Sequence, residues 1–202
     1  STLRLTLFPY TTLFRSMEAY GQEPVHYAHA GAGEIHLRPI LDLKKKEDQE
    51  EFYKISLDVA KLVKKYNGSL SGEHGDGRVR APFIPLMVGE ENYQLFRRIK
   101  YTWDPNNIFN PGKIVDTAPM NSSLRYEADM VTPEQDTLMD FSHVGGILRL
   151  AEKCNGSGDC RKLPASGGTM CPSYQASRNE RDTTRGRANV LREFLTKNQQ
   201  PN

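Results

Sequence analysis

The stretch Val25-His26-Tyr27-Ala28-His29-Ala30-Gly31-Ala32-Gly33-Glu34-Ile35-His36-Leu37-Arg38-Pro39-Ile40-Leu41-Asp42-Leu43 decides the fold. Aromatic and β-branched residues flank Gly31-Ala32-Gly33, a pattern that predicts two strands joined by a tight glycine turn. Helix follows, because Phe52, Ile55, Val59, Leu62, Val63 and Tyr66 step by three and four along one buried face. Asp48 and Glu51 have the spacing of a capping box, and Gly68 is placed to stop the helix.

A short strand is expected over 69–71, leading into the loop Gly72-Glu73-His74-Gly75-Asp76-Gly77-Arg78. A second helix, 90–103, carries Leu95, Phe96, Ile99 and Trp103 on one face and ends before Asp104-Pro105. Residues 108–115 predict a turn and a terminal strand. Residues 116–135 lack periodicity, hold two prolines and read as a linker. Beyond them the pattern predicts a helix near 142–153, a cysteine loop and a helix near 180–196. The expected class is α+β: an antiparallel sheet with packed helices, followed by a small, mainly helical segment that holds the cysteines.

The chain has 202 residues, 26% of them charged and 37% hydrophobic, the make-up of a foldable globular domain with a small appendix. No apolar run approaches the ~20 residues that cross a bilayer. The net charge of +2 hides an asymmetry: residues 153–202 hold 9 Lys/Arg against 4 Asp/Glu, whereas residues 1–152 hold 18 against 21. All three cysteines, Cys154, Cys160 and Cys171, lie in the basic tail. An odd number within so short a span suits metal or cluster ligands better than a secreted disulfide framework.

Thr6–Ser16 (TLFPYTTLFRS) reads as the in-frame translation of a sequencing adapter. Residues 1–16 are therefore expected to be foreign to the protein, with the native chain extending further toward its N-terminus.

His29 and His36 flank the glycine turn, seven residues apart. On one unbroken strand an odd separation would put them on opposite faces. The turn can fold them back toward one point. Glu73 and His74 sit in a glycine-rich loop whose backbone can approach a ligand closely. Two histidines and a glutamate suit a divalent transition metal such as zinc or manganese and leave positions open for substrate. Arg38 is a candidate for binding a substrate carboxylate in bidentate fashion. Asp76 and Asn110 read locally as turn residues.

The strings YAHAGAGEIHLRPILDL, GSLSGEHGDGR and WDPNNIFNPGKIV, in that order, resemble the C-terminal cap region of FAD-linked oxidases of the vanillyl-alcohol oxidase type. Within that family the branch resembled is that of D-2-hydroxyglutarate and D-lactate dehydrogenases fused to an iron–sulfur region. The resemblance covers about residues 24–197 and implies that 17–115 is the rear of a substrate cap. It implies that His29, His36 and Glu73 bind a divalent metal, that His74 is the catalytic base or a substrate contact and that Asn110 lies near the flavin. The family motif commonly reads H-x-G-D-G-N-x-H, and here Ala32 and Glu34 replace its Asp and Asn. The implied reaction is oxidation of a D-2-hydroxy acid with hydride transfer to FAD. The flavin-binding half lies elsewhere, so this chain is expected to be inactive alone.

The tail Cys154-x5-Cys160-x10-Cys171-Pro172, with the later RGRANVLREF, resembles the iron–sulfur region of glycerol-3-phosphate and heterodisulfide-type reductase subunits. It implies that residues 136–202 begin an electron-transfer region carrying a cluster, 4Fe-4S in type, with further ligands expected downstream. Electrons would pass to a quinone or an electron-transfer protein. The implied location is the cytoplasm, with peripheral association at the inner face of the membrane. The basic stripe of Arg181, Arg185 and Arg192 lacks the aromatic interleaving of a nucleic-acid surface, so no nucleic-acid partner is expected. Read without the resemblance, the residues also fit a non-catalytic metal-binding or electron-transfer module. The cysteines alone also fit a zinc knuckle or free thiols, and the oligomeric state is left open.

Overall fold

The computed structural model describes residue 12 and residues 15–29, 31, 33–131, 134–168 and 170–197. Most of the adapter-like segment, residues 1–11, 13 and 14, lies outside the described residues. The chain divides into two compact units, Ser1–Met130 and Val131–Asn202. Its class is α+β, with one two-stranded antiparallel sheet and packed helices.

In the first unit, β1 (Val25–His29) pairs with β2 (Glu34–Arg38). The register sets Val25 against Arg38, Tyr27 against His36 and His29 against Glu34. Gly33 turns the chain with φ 69°, a left-handed conformation that costs a side chain least when there is none.

α1 (Lys46–Lys65) buries Ile55 and Ala60. Its N-terminus departs from the expected capping box. The helix begins three residues earlier, at Lys46 with Lys45 as its N-cap, and the Asp48 carboxylate accepts from the Asp42 backbone N–H at 2.6 Å. Its C-terminus is a paired-bond stop: Asn67 takes φ 54°, its N–H donates to the Lys64 carbonyl, and Gly68 N–H donates to the Val63 carbonyl. The left-handed residue is thus Asn67, with Gly68 next to it.

A short 3-10 turn (Ala81–Phe83) leads into α2 (Ile84–Val88) and α3 (Glu90–Trp103). Ala60, Phe83 and Met120 form the centre of the core, with Phe52, Leu57 and Leu70 against it. Met120 falls in the expected linker and is 1% exposed. The same stretch is tied down by Asp129, which accepts from the Lys46 N–H at 3.0 Å, and by Ser122, whose carbonyl accepts from Arg78. Residues 116–130 therefore pack as part of the first unit despite their lack of periodicity.

Two expected strands do not form. Residues 69–71 are irregular, and in 108–115 the left-handed backbone at Asn110 and Ile114 prevents a straight strand. α3 has the predicted bounds, but its apolar face is not buried within the unit. Leu95, Ile99 and Trp103 are all exposed. The proline stop is reinforced by Asp104, which accepts from the Ile108 and Phe109 N–H groups and pairs with the Lys100 ammonium. Burial opposes that charge, but these donors outweigh it and hold the Asp104 carboxyl below the usual range.

In the second unit, α4 (Ile147–Glu152) packs on α6 (Thr184–Lys197), burying Leu148, Ala151 and Leu195. Thr183 caps α6, accepting from the Gly186 N–H at 2.7 Å. A Cβ at Gly186 would come within 2.3 Å of the Glu180 carbonyl, so only glycine fits there. Between these helices lies α5 (Pro172–Ser177). No helix among the described residues is long and apolar enough to cross a membrane.

Candidate metal centre and substrate face

The ladder register places Tyr27 and His29 of β1 on the same face as Glu34, His36 and Arg38 of β2, because side chains alternate along each strand. Antiparallel pairing thereby turns the awkward seven-residue spacing into a diagonal neighbour relation. The His29 and His36 ring centroids are 4.9 Å apart, edge to face. The loop after residue 71 brings Glu73 to the same point. Its Oε1 lies 3.2 Å from His29 Nε2 and 3.1 Å from His74 Nε2. The His74 ring stands 5.8 Å from that of His36.

A fourth donor joins them. Glu34 Oε1 lies 3.9 Å from His36 Nε2, and one donor atom from each of His29, Glu34, His36 and Glu73 falls within 4.8 Å of all the others. Donors around a single ion, bonded at about 2.0–2.2 Å, lie about 3–4.4 Å apart. At up to 4.8 Å the widest separation slightly exceeds that span, so a small inward shift of the side chains would let the set hold one divalent cation. Sequence reasoning had noted Glu34 only as a departure from a motif. The signal that could have found it is the two-residue spacing to His36, which puts both on one face.

The centre has a floor and a rim. Glu34 and His36 are 14% and 23% exposed, whereas His29, Glu73 and His74 are each half exposed or more. A ligand therefore has access from the rim side. Gly72 supports the floor: a Cβ there would meet Glu34 Cδ at 2.4 Å.

Arg38 shares the face and stacks over Tyr27, its guanidinium carbon 5.0 Å from the ring centroid. Asn110 is not brought into this group. It occupies the exposed turn after α3 with φ 49°. Asp76 likewise serves a turn, its carbonyl accepting from the Arg80 N–H.

The cysteines occupy the second unit. Cys160 and Cys171 pack together with Tyr174, and Cys154 is half-buried. All three are free thiols. The Cys171 thiol is held below its ordinary range, first by the Tyr174 backbone N–H and then by the Thr184 hydroxyl. Arg185 is raised, chiefly by its bond to Glu180 and further by Cys160 and Cys154. Its guanidinium also donates to the Gly156 carbonyl at 3.2 Å. The arginines of the expected basic stripe are paired in place, Arg185 with Glu180, Arg181 with Asp182 and Arg192 with Glu193.

Comparison with known proteins gives these features a context. The chain is 34% identical over 190 residues to the D-2-hydroxyglutarate dehydrogenase of Escherichia coli K12, covering 94% of this chain and 18% of that protein. It is 35% identical over 200 residues to the protein of the same name from Pseudomonas putida KT2440, covering 94% and 19%. A D-lactate dehydrogenase of Archaeoglobus fulgidus is 39% identical over 98 residues, covering 48% and 21%. The chain thus spans about a fifth of the length of the curated relatives it matches. No solved structure matches it. The profile of the family described as "FAD linked oxidases, C-terminal domain" matches residues 10–114, which include both strands and the Glu73-His74 loop. With more than half of its residues under that profile, the chain belongs to the FAD linked oxidases, C-terminal domain family.

Proposed function

We propose that this chain forms the substrate side of an FAD-dependent dehydrogenase that oxidises a D-2-hydroxy acid, 2-hydroxyglutarate or lactate, at a divalent cation. The observation that carries this reading is the meeting of His29, His36 and Glu73 from three separate segments, with His74 beside them on the open side. The names of the relatives support the substrate class.

A cation in this centre supplies the charge that lowers the pKa of a substrate hydroxyl, and FAD supplies the acceptor for the hydride from C2. His29 and His36 hold the cation through imidazole nitrogen and Glu73 through a carboxylate oxygen. Arg38, steadied by Tyr27 two positions along the same face, pairs with a substrate carboxylate. His74 Nε2 engages Glu73, which orients the ring and leaves Nδ1 to take the hydroxyl proton as the C2–H bond breaks. The product is the 2-oxo acid.

Calorimetric titration of D-2-hydroxyglutarate and D-lactate into the manganese- or zinc-loaded chain tests this reading. Binding of at least one acid is expected, with its loss in His29→Ala and Glu73→Ala. Absence of binding to the loaded wild-type chain overturns it.

In the second unit, Cys154, Cys160 and Cys171 are proposed as three ligands of a 4Fe-4S cluster that relays flavin electrons to a quinone or an electron-transfer protein. The shared packing of Cys160 and Cys171 and the proximity of Arg185 to Cys154 and Cys160 support it. Anaerobic reconstitution should load iron and sulfide in the wild-type chain and less in Cys160→Ser and Cys171→Ser. Equal loading in a variant lacking all three thiols overturns it.

A further inference from the structure

We infer that Glu34 is a fourth protein ligand of the cation, and that it tilts the centre toward a six-coordinate ion of the manganese type. The inference rests on the metal reading above. It adds a residue that stands where the family motif commonly has asparagine.

Three observations meet on this side chain. Its carboxylate lies within 4.8 Å of the donor atoms of His29, His36 and Glu73. It is the least exposed member of the group, 14%. And Gly72 leaves the space that it fills, since a Cβ would sit 2.4 Å from Cδ, 2.6 Å from Oε2 and 2.8 Å from Oε1. Gly72 is not among the glycines with positive φ. Its backbone therefore tolerates alanine, and a Cβ there would push the Glu34 carboxylate aside.

Donor chemistry points the same way. Two carboxylates and two imidazoles make a harder donor set than two imidazoles and one carboxylate, which favours manganese-type ions relative to zinc.

Coordination number sharpens the argument. Four protein donors close a tetrahedral zinc site, the arrangement of structural sites. Around a six-coordinate ion the same four leave two positions. Two is the number that a 2-hydroxy acid needs to chelate through its carboxylate and hydroxyl oxygens. With Glu34 as ligand, six-coordination is the state that binds substrate.

The test titrates the metal-free chain with Mn2+ and, separately, Zn2+, following Mn2+ by electron paramagnetic resonance and both by calorimetry. Glu34→Gln should weaken Mn2+ binding at least tenfold and Zn2+ binding less, so that the ratio of zinc to manganese affinity rises. Gly72→Ala, which displaces the carboxylate without removing it, should reproduce the loss. The double variant should be no worse than Glu34→Gln alone. Circular dichroism of each variant shows that the fold persists. If Glu34→Gln keeps wild-type affinity for both ions while His29→Ala and Glu73→Ala lose binding, this inference falls and the three-ligand centre stands. If the wild-type chain binds neither ion, both fall.

Discussion

His29 and Glu34 stand opposite each other at the turn end of the β1–β2 ladder. Directly opposed side chains in an antiparallel pair lie within reach of each other, and diagonal ones two residues on remain so for long side chains. That pairing makes His29, Glu34 and His36 mutual neighbours, and the loop that delivers Glu73 completes the group. Register is thus the determinant of the centre. A slip of one residue in β2 would turn both Glu34 and His36 to the other face, away from His29.

The turn that sets the register depends on Gly33, at φ 69° with open space around it. Gly33→Val is expected to destabilise the hairpin by about 1–2 kcal/mol through backbone strain alone, and to weaken divalent-metal binding. Gly33→Asn should cost less, because asparagine enters the left-handed region more readily. Urea denaturation and metal titration of the two variants measure both effects.

Met120 lies in a stretch with no periodic signal yet is 1% exposed against Ala60 and Phe83. Met120→Ala is expected to cost about 2–5 kcal/mol of unfolding free energy. A loss within about 0.5 kcal/mol, as for a solvated surface residue, would show that 116–130 does not share the core.

Tyr20 donates to Asp58 Oδ2 at 2.6 Å. That bond, with burial and the Asp58 charge, pushes the Tyr20 hydroxyl up to about 12; the same bond, against burial and with help from Lys61, holds the Asp58 carboxyl below its usual range. The raised Tyr20 value adds stability that is present below the phenol's ordinary pKa of 10.0 and is lost as pH rises toward about 12. The depressed Asp58 value adds stability that is present above the ordinary 3.8 and is lost as pH falls through the lowered value. Ultraviolet titration should show a tyrosine step near the top of the range that belongs to Tyr20. Tyr20→Phe should remove that step and Asp58→Asn should shift it downward.

His74 and Arg38 are predicted to separate turnover from binding. In the flavoenzyme of which this chain is proposed to be a part, His74→Gln should lower kcat by about 10²–10⁴-fold, the usual loss of a general base, with KM little changed. Arg38→Ala should raise KM for the hydroxy acid. Steady-state kinetics on both variants decides, and an unchanged kcat in His74→Gln removes His74 from proton transfer.

Much of this was legible in the residue order. The hairpin, α1 and α3 announce themselves through glycine placement and three-to-four periodicity, and α3 has the predicted bounds, residues 90–103. His29, His36, Glu73 and His74 stood out because histidine and glutamate between glycines are chemically conspicuous. Within the linker expected over 116–135, Met120 packs by tertiary contact, which leaves no periodic trace. The strand expected over 108–115 failed because Asn110 and Ile114 adopt left-handed backbone, which apolar composition does not reveal. The apolar face of α3 shows amphipathicity without showing what covers it.

Sequence by itself determined the hairpin, the two long helices of the first unit and the chemical kinds of donor, since periodicity and side-chain chemistry are local properties. Only the tertiary structure decided that Glu34 belongs with them, that Gly72 makes room for it, and that Arg38 shares the face while Asn110 does not. Those facts depend on which backbone atoms pair across a turn and how closely a distant loop approaches, distances that no stretch of residues encodes alone.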